Sequence, residues 1–182
     1  AEDIQEALMR LIMLRDGLLQ DIQKDPKRMS FLIKALELSL LKNFTKNVDA
    51  GFDHLQQIIS TVPAGSPRAV LLHVVLEKFR AIRSMNLNII EGEELYFFQK
   101  YVIYEALQDM KSGSNGLIVA LDPGLGKTAT SLALMNYVQQ PSVVLSPNSV
   151  VTTWTEQERK FFEEHRMVSL QGPGVQREQA LS

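Results

Sequence analysis

The sequence predicts an α plus α/β chain: a helical bundle over roughly residues 1–90, then strands alternating with helices in a parallel sheet over residues 91–182. Three observations lead there. The first half carries apolar residues at helical spacing, punctuated twice by a capping residue followed by proline. After about Glu91, short β-type runs alternate with helix-forming stretches: LIVAL at 117–121, SVVLS at 142–146 and MVSLQ at 167–171. The turn after the first of these runs closes on Gly-Lys-Thr, directly before a helix.

Taken in order, Ile4, Leu8, Leu11, Leu18 and Ile22 form the stripe of a first helix. Asp25 as N-cap and Pro26 in the first turn start a second, to about Lys42, with Phe31, Ala35, Leu38 and Leu41 inward. The stretch from Asn43 to Gly51 is undecided, and a third helix covers Phe52 to Ile59. Val62 to Pro67 breaks it. Ser66-Pro67 launches a fourth helix through about Arg83, carrying Val70, Leu71, Val74, Val75, Phe79 and Ile82. Periodicity fails between residues 84 and 92, which places the domain boundary there. Further helices follow at Leu95 to Met110, Lys127 to about Val138 and Val150 to about Glu164.

Composition narrows the function classes. Hydrophobic content of 45% against 22% charged residues argues for a folded chain rather than a disordered one. A net charge of -2 carries no global signal for nucleic acid or membrane, although a local basic groove is compatible with it. With no cysteine, disulfides, thiolate metal sites and cysteine nucleophiles are excluded, and an intracellular home fits. No apolar run approaches the ~18 to 20 residues that span a bilayer. The start, AEDIQEALM, has no signal-peptide pattern and no initiator Met, as expected of an excised or trimmed piece. His54, His73 and His165 lack ligand-like spacing and read as surface or core histidines. Glu156, Glu158, Glu163 and Glu164 read as a solvated face interspersed with Arg159 and Lys160. Lys24, Lys27 and Arg28 read as a solvated loop in preference to a phosphate-backbone contact.

Gly124-Leu125-Gly126-Lys127-Thr128 stands where a phosphate loop must stand, between a β-type run and a helix. Glycines let backbone N–H groups turn toward one point, and the helix start adds its positive dipole end. Lys127 then reaches the β- and γ-phosphates, and the Thr128 hydroxyl ligates Mg²⁺. The strict pattern asks for glycine six positions before the lysine, where this chain has Leu121.

VALDPGLGKT resembles the first ATPase motif of the Swi/Snf-type remodelling ATPases of helicase superfamily 2, which commonly reads Ala-Asp-Glu-Met-Gly-Leu-Gly-Lys-Thr. Ala120, Gly124, Leu125, Gly126, Lys127 and Thr128 match it, while Leu121, Asp122 and Pro123 depart from it. Leu95-Tyr-Phe-Phe-Gln99 is similar to the family's Leu-Arg-Pro-Tyr-Gln element, in which the glutamine reads adenine. A carboxamide carries the donor and the acceptor that adenine N7 and N6 require. VVLSPNSVVTTWTEQERKFF resembles the next element, with Pro147, Ser149, Trp154 and Phe161 matching. In the family that turn faces the nucleic-acid backbone, so Pro147, Asn148 and Ser149 are the nucleic-acid-facing candidates. Asn148-Ser149 also reads as an N-cap for the next helix, and the two roles are compatible. Trp154 reads as a packing residue of an amphipathic helix.

The resemblance covers about residues 93–182 and implies the first part of a RecA-like parallel-sheet P-loop lobe, ending before the family's Asp-Glu-x-His element. It implies ATP and Mg²⁺ as cofactors, with Gln99, Gly124, Leu125, Gly126, Lys127 and Thr128 as their contacts. The parent protein is then an ATP hydrolase that translocates on double-stranded DNA, in the nucleus or the bacterial cytoplasm, and this chain alone is expected to be inactive. Two other readings stand beside it. One is an interaction module whose helical bundle binds a partner protein; the other is an RNA helicase of the same superfamily.

Overall fold

Proline after a capping oxygen starts two helices of the first half. Asp25 accepts from the N–H groups of Lys27 (3.0 Å) and Arg28 (3.3 Å), and helix α1 runs Pro26–Leu41. A 3-10 turn, Lys42–Phe44, leads to Asn47, whose side chain accepts from Ala50 N–H at 3.1 Å and caps α2, Val48–Thr61. Ser66 accepts from Ala69 N–H at 3.2 Å and starts α3, Pro67–Arg83. Each cap satisfies amides that the first helical turn leaves open. The computed structural model describes residues 19, 21, 22, 24–45 and 47–170. The chain divides into two compact units, Ala1–Ser84 and Met85–Ser182.

The first unit closes around Phe44. Its ring meets those of Phe52 and Phe79 edge-on, both at 5.0 Å between centroids. Gly51 makes this possible, because a Cβ there would stand 2.7 Å from the Phe44 ring. Glu37, 1% exposed, accepts both 2.8 and 2.7 Å bonds from the Lys78 ammonium, tying α1 to α3.

The inward face of α1 differs from the expected one. Phe31 (68% exposed) and Leu38 (40%) point outward, whereas Leu32, Leu36 and Leu40 are buried. On α3, Leu71, Val75, Phe79 and Ile82 are buried as expected, but Val70 and Val74 are exposed and Leu72 and Leu76 take the core. Both helices are apolar on most sides, so spacing alone admits more than one face. In the expected first helix, Ile4, Leu8, Leu11 and Leu18 lie outside the described residues; Ile22 is half-buried and Leu19 is buried.

The second unit holds α4 (Phe97–Lys111), α5 (Lys127–Val138), a 3-10 turn (Asn148–Val150) and α6 (Val151–Phe161). Helix α5 packs on both α4 and α6. Ile103, Ala129, Leu132, Ala133, Phe161 and Phe162 form the core, with Trp154 partly buried against it.

The expected parallel sheet is not there. Among the described residues no strand forms, so the α/β assignment of residues 91–182, and with it the RecA-like lobe, is corrected to an all-helical arrangement. LIVAL, SVVLS and the described part of MVSLQ run without ladder hydrogen bonds, and Gln171 lies outside the described residues. Ile118, Val143 and Leu145 are 91%, 86% and 93% exposed. β-Type composition is only half the requirement for a strand; the other half is a neighbour to receive its N–H and C=O groups. Among the described residues no helix is long and apolar enough to cross a membrane.

Candidate functional site

The loop before α5 is assembled by two glycines. Asp122-Pro123-Gly124-Leu125 is a turn closed by Leu125 N–H donating to the Asp122 carbonyl at 3.2 Å. Proline in second place and Gly124 at φ +84 in third make it a type II turn. Gly126 follows in the left-handed region (φ 74, ψ 37) as the N-cap of α5, and its carbonyl accepts from both the Thr130 N–H and hydroxyl at 3.0 Å. Leu121, Asp122 and Pro123 are not among the positive-φ residues, so the expected glycine at 121 is not required by this backbone.

Among the described residues, no group accepts from the N–H groups of Gly126, Lys127, Thr128 or Ala129. Four open amides at the start of a twelve-residue helix make a binding position for an anion, reinforced by the helix dipole. Lys127 is exposed, and its ammonium folds back to donate to the carbonyls of Leu121 (2.7 Å) and Asp122 (3.1 Å). Phosphate oxygens are stronger acceptors for an ammonium than neutral carbonyls, so the same side chain can exchange one set for the other. Thr128 is half-buried in the first turn of α5. Among the described residues no three His, Asp or Glu side chains cluster as a metal site. A magnesium ion at Thr128 would therefore draw its remaining oxygen ligands from phosphate and water, which is ordinary for that ion. The loop's donor set fits a phosphate chain carrying such an ion.

Gln99 joins this loop from α4. It is 4% exposed; its Oε1 accepts from Tyr96 N–H at 2.9 Å and its Nε2 donates to the Leu125 carbonyl at 3.1 Å. A Cβ on Gly126 would lie 2.3 Å from that Nε2. Tyr96, 63% exposed, stacks on Phe98 with centroids 5.7 Å apart. The structure thus brings Gln99, Gly124, Leu125, Gly126, Lys127 and Thr128 into one continuous site. Pro147, Asn148 and Ser149 sit instead on an exposed 3-10 turn closed by Val150 N–H to the Pro147 carbonyl at 3.0 Å. Helix α6 takes Val150 as its N-cap, directly after this turn.

The carbonyls of Leu121 and Asp122 escape sequence reasoning because backbone acceptors carry no residue signature. Glu158 also departs from expectation. It is 8% exposed, and its Oε1 accepts from the N–H groups of Arg166 and Met167, each at 2.8 Å. Glu156, Glu163 and Glu164 are exposed. The stripe Trp154, Glu158, Phe161 puts Glu158 on the apolar face of α6, a signal present in the spacing. His54, His73 and His165 are exposed. Lys24 and Arg28 pair with Asp21 and Asp25 within their own turns. Comparison with family models, with curated proteins and with solved structures finds no match for the chain.

Proposed function

We propose that the second unit binds the triphosphate of ATP with Mg²⁺ and serves an intracellular ATP-dependent DNA translocase of the Swi/Snf-like kind. One observation carries this reading: four unengaged amides at the start of α5, behind a left-handed Gly126 and beside the Lys127 ammonium. The ordered resemblance of residues 95–99, 120–128 and 147–161 to that family's motifs supports the identity of the ligand and of the DNA partner. In this reading the amides of Gly126 to Ala129 and the side chain of Lys127 hold phosphate oxygens, and the Thr128 hydroxyl ligates the metal. The exposed turn at Pro147 to Ser149 offers N–H and hydroxyl donors to a DNA phosphate, a contact independent of base sequence.

Calorimetric titration of the chain with Mg-ATP tests the reading. Lys127→Ala is expected to weaken binding by about a hundredfold, the loss of charge-assisted bonds worth roughly 2 to 3 kcal/mol. Unchanged affinity in that variant excludes the assignment. In the intact protein, hydrolysis stimulated by duplex DNA supports the translocase; stimulation by RNA alone selects the RNA helicase. A second reading has its own observation. Phe31, Leu38, Val70 and Val74 are exposed on α1 and α3, as on a helical module that binds a partner protein. A stable protein complex without nucleotide binding selects it.

A further inference from the structure

We propose that Gln99 is a positioning residue of the phosphate loop, which aims the Gly126 amide at the ligand and takes no part in choosing the base. The inference rests on the reading of Gly124 to Thr128 as a triphosphate site.

The orientation of the carboxamide follows from its partners. Tyr96 N–H can only donate, so the atom facing it is oxygen; the Leu125 carbonyl can only accept, so the atom facing it is nitrogen. One lone pair and one N–H of the amide are thereby engaged within the fold. Reading adenine calls on the same two atoms, Oε1 toward N6 and Nε2 toward N7, and a side chain 4% exposed has no open edge for a purine.

The grip on Leu125 has a directional consequence. In a trans peptide the C=O and the following N–H point in opposite directions across one plane. Holding the Leu125 carbonyl toward α4 therefore turns the Gly126 N–H away from α4, and Gly126 N–H is one of the four open amides. The glycine at 126 answers to the same contact. Its left-handed φ of 74 disfavours a side chain, and the 2.3 Å approach of Gln99 Nε2 leaves no room for one. Gln99 thus acts on the phosphate end that every nucleoside triphosphate shares.

The test is titration of the full chain with Mg-ATP, Mg-GTP and Mg-tripolyphosphate, the last carrying no base. Gln99→Ala is expected to weaken all three by the same factor, about tenfold for one misdirected amide. Gln99→Glu keeps the acceptor for Tyr96 N–H but loses the donor to Leu125, and is expected to weaken all three equally and at least as much. Unfolding followed by Trp154 fluorescence establishes that each variant is folded at the titration temperature. A double-mutant cycle with Gly126→Ala supplies a readout that a general loss of stability does not move. The 2.3 Å clash exists only while Gln99 is present, so the Gly126→Ala loss in triphosphate affinity is expected to shrink in the Gln99→Ala background. Additive losses overturn the proposal. So does a Gln99→Ala loss for ATP larger than that for tripolyphosphate, or a change in the ATP-to-GTP ratio. A wild-type chain that binds none of the three overturns the loop reading itself, and the proposal with it.

Discussion

The two units spend similar apolar sequence in different ways. In the first, Phe44, Phe52 and Phe79 meet at the centre, and Phe79 has no exposed surface. In the second, the core includes Ala129 and Ala133, while Ile118, Val143 and Leu145 stand almost wholly in solvent. The separating factor is where backbone hydrogen bonds close. A helix satisfies its own N–H and C=O groups, so its side chains are free to seek a core. An extended run depends on another strand for the same groups. Most of the core lies on helices, whereas Ile118, Val143 and Leu145 lie on extended backbone without ladder hydrogen bonds.

The largest break in this contrast is expected from Phe79→Ala, a loss of about 4 kcal/mol from an emptied core position. Urea unfolding followed by far-UV circular dichroism measures it. Phe31→Ala in the same unit is expected to stay within about 0.5 kcal/mol. Equal losses from the two variants would show that the face of α1 is misassigned.

Next comes the ion pair. Glu37→Gln is expected to cost about 3 kcal/mol, because it leaves the Lys78 ammonium poorly matched beside a buried position. The paired replacement Glu37→Leu with Lys78→Met is expected to recover most of that loss in the same assay. A double variant no better than the single one removes the pairing argument.

Within the second unit the buried and exposed acids of α6 sharpen the comparison. Glu158→Ala is expected to cost about 2 kcal/mol by releasing the Arg166 and Met167 amides, against about 0.5 kcal/mol or less for Glu156→Ala. Trp154, the chain's one tryptophan, reports this unfolding from its partly buried place against the second unit's core. The smallest effect is expected from Leu145→Lys, within about 0.5 kcal/mol by the same fluorescence. A drop of several kcal/mol there would mean that Leu145 is packed after all.

Local chemistry was the most legible part of the chain. Asp25-Pro26 and Ser66-Pro67 announce α1 and α3, and Gly126-Lys127 announces α5, because capping and left-handed glycine depend on a few adjacent residues. The candidate loop is legible for the same reason. Its brace is not: Gln99 and Leu125 are 26 residues apart, and no spacing rule links a buried carboxamide to a distant carbonyl.

By itself, then, the sequence determined where α1, α3 and α5 begin and that Gly124 and Gly126 turn the backbone ahead of Lys127. The tertiary structure alone decided which side of α1 faces inward, that Glu37 is buried against Lys78, and, among the described residues, that the β-type runs form no ladder. Those outcomes depend on partners remote in the chain, whose hydrogen bonds and contacts exist only once the fold has brought them together.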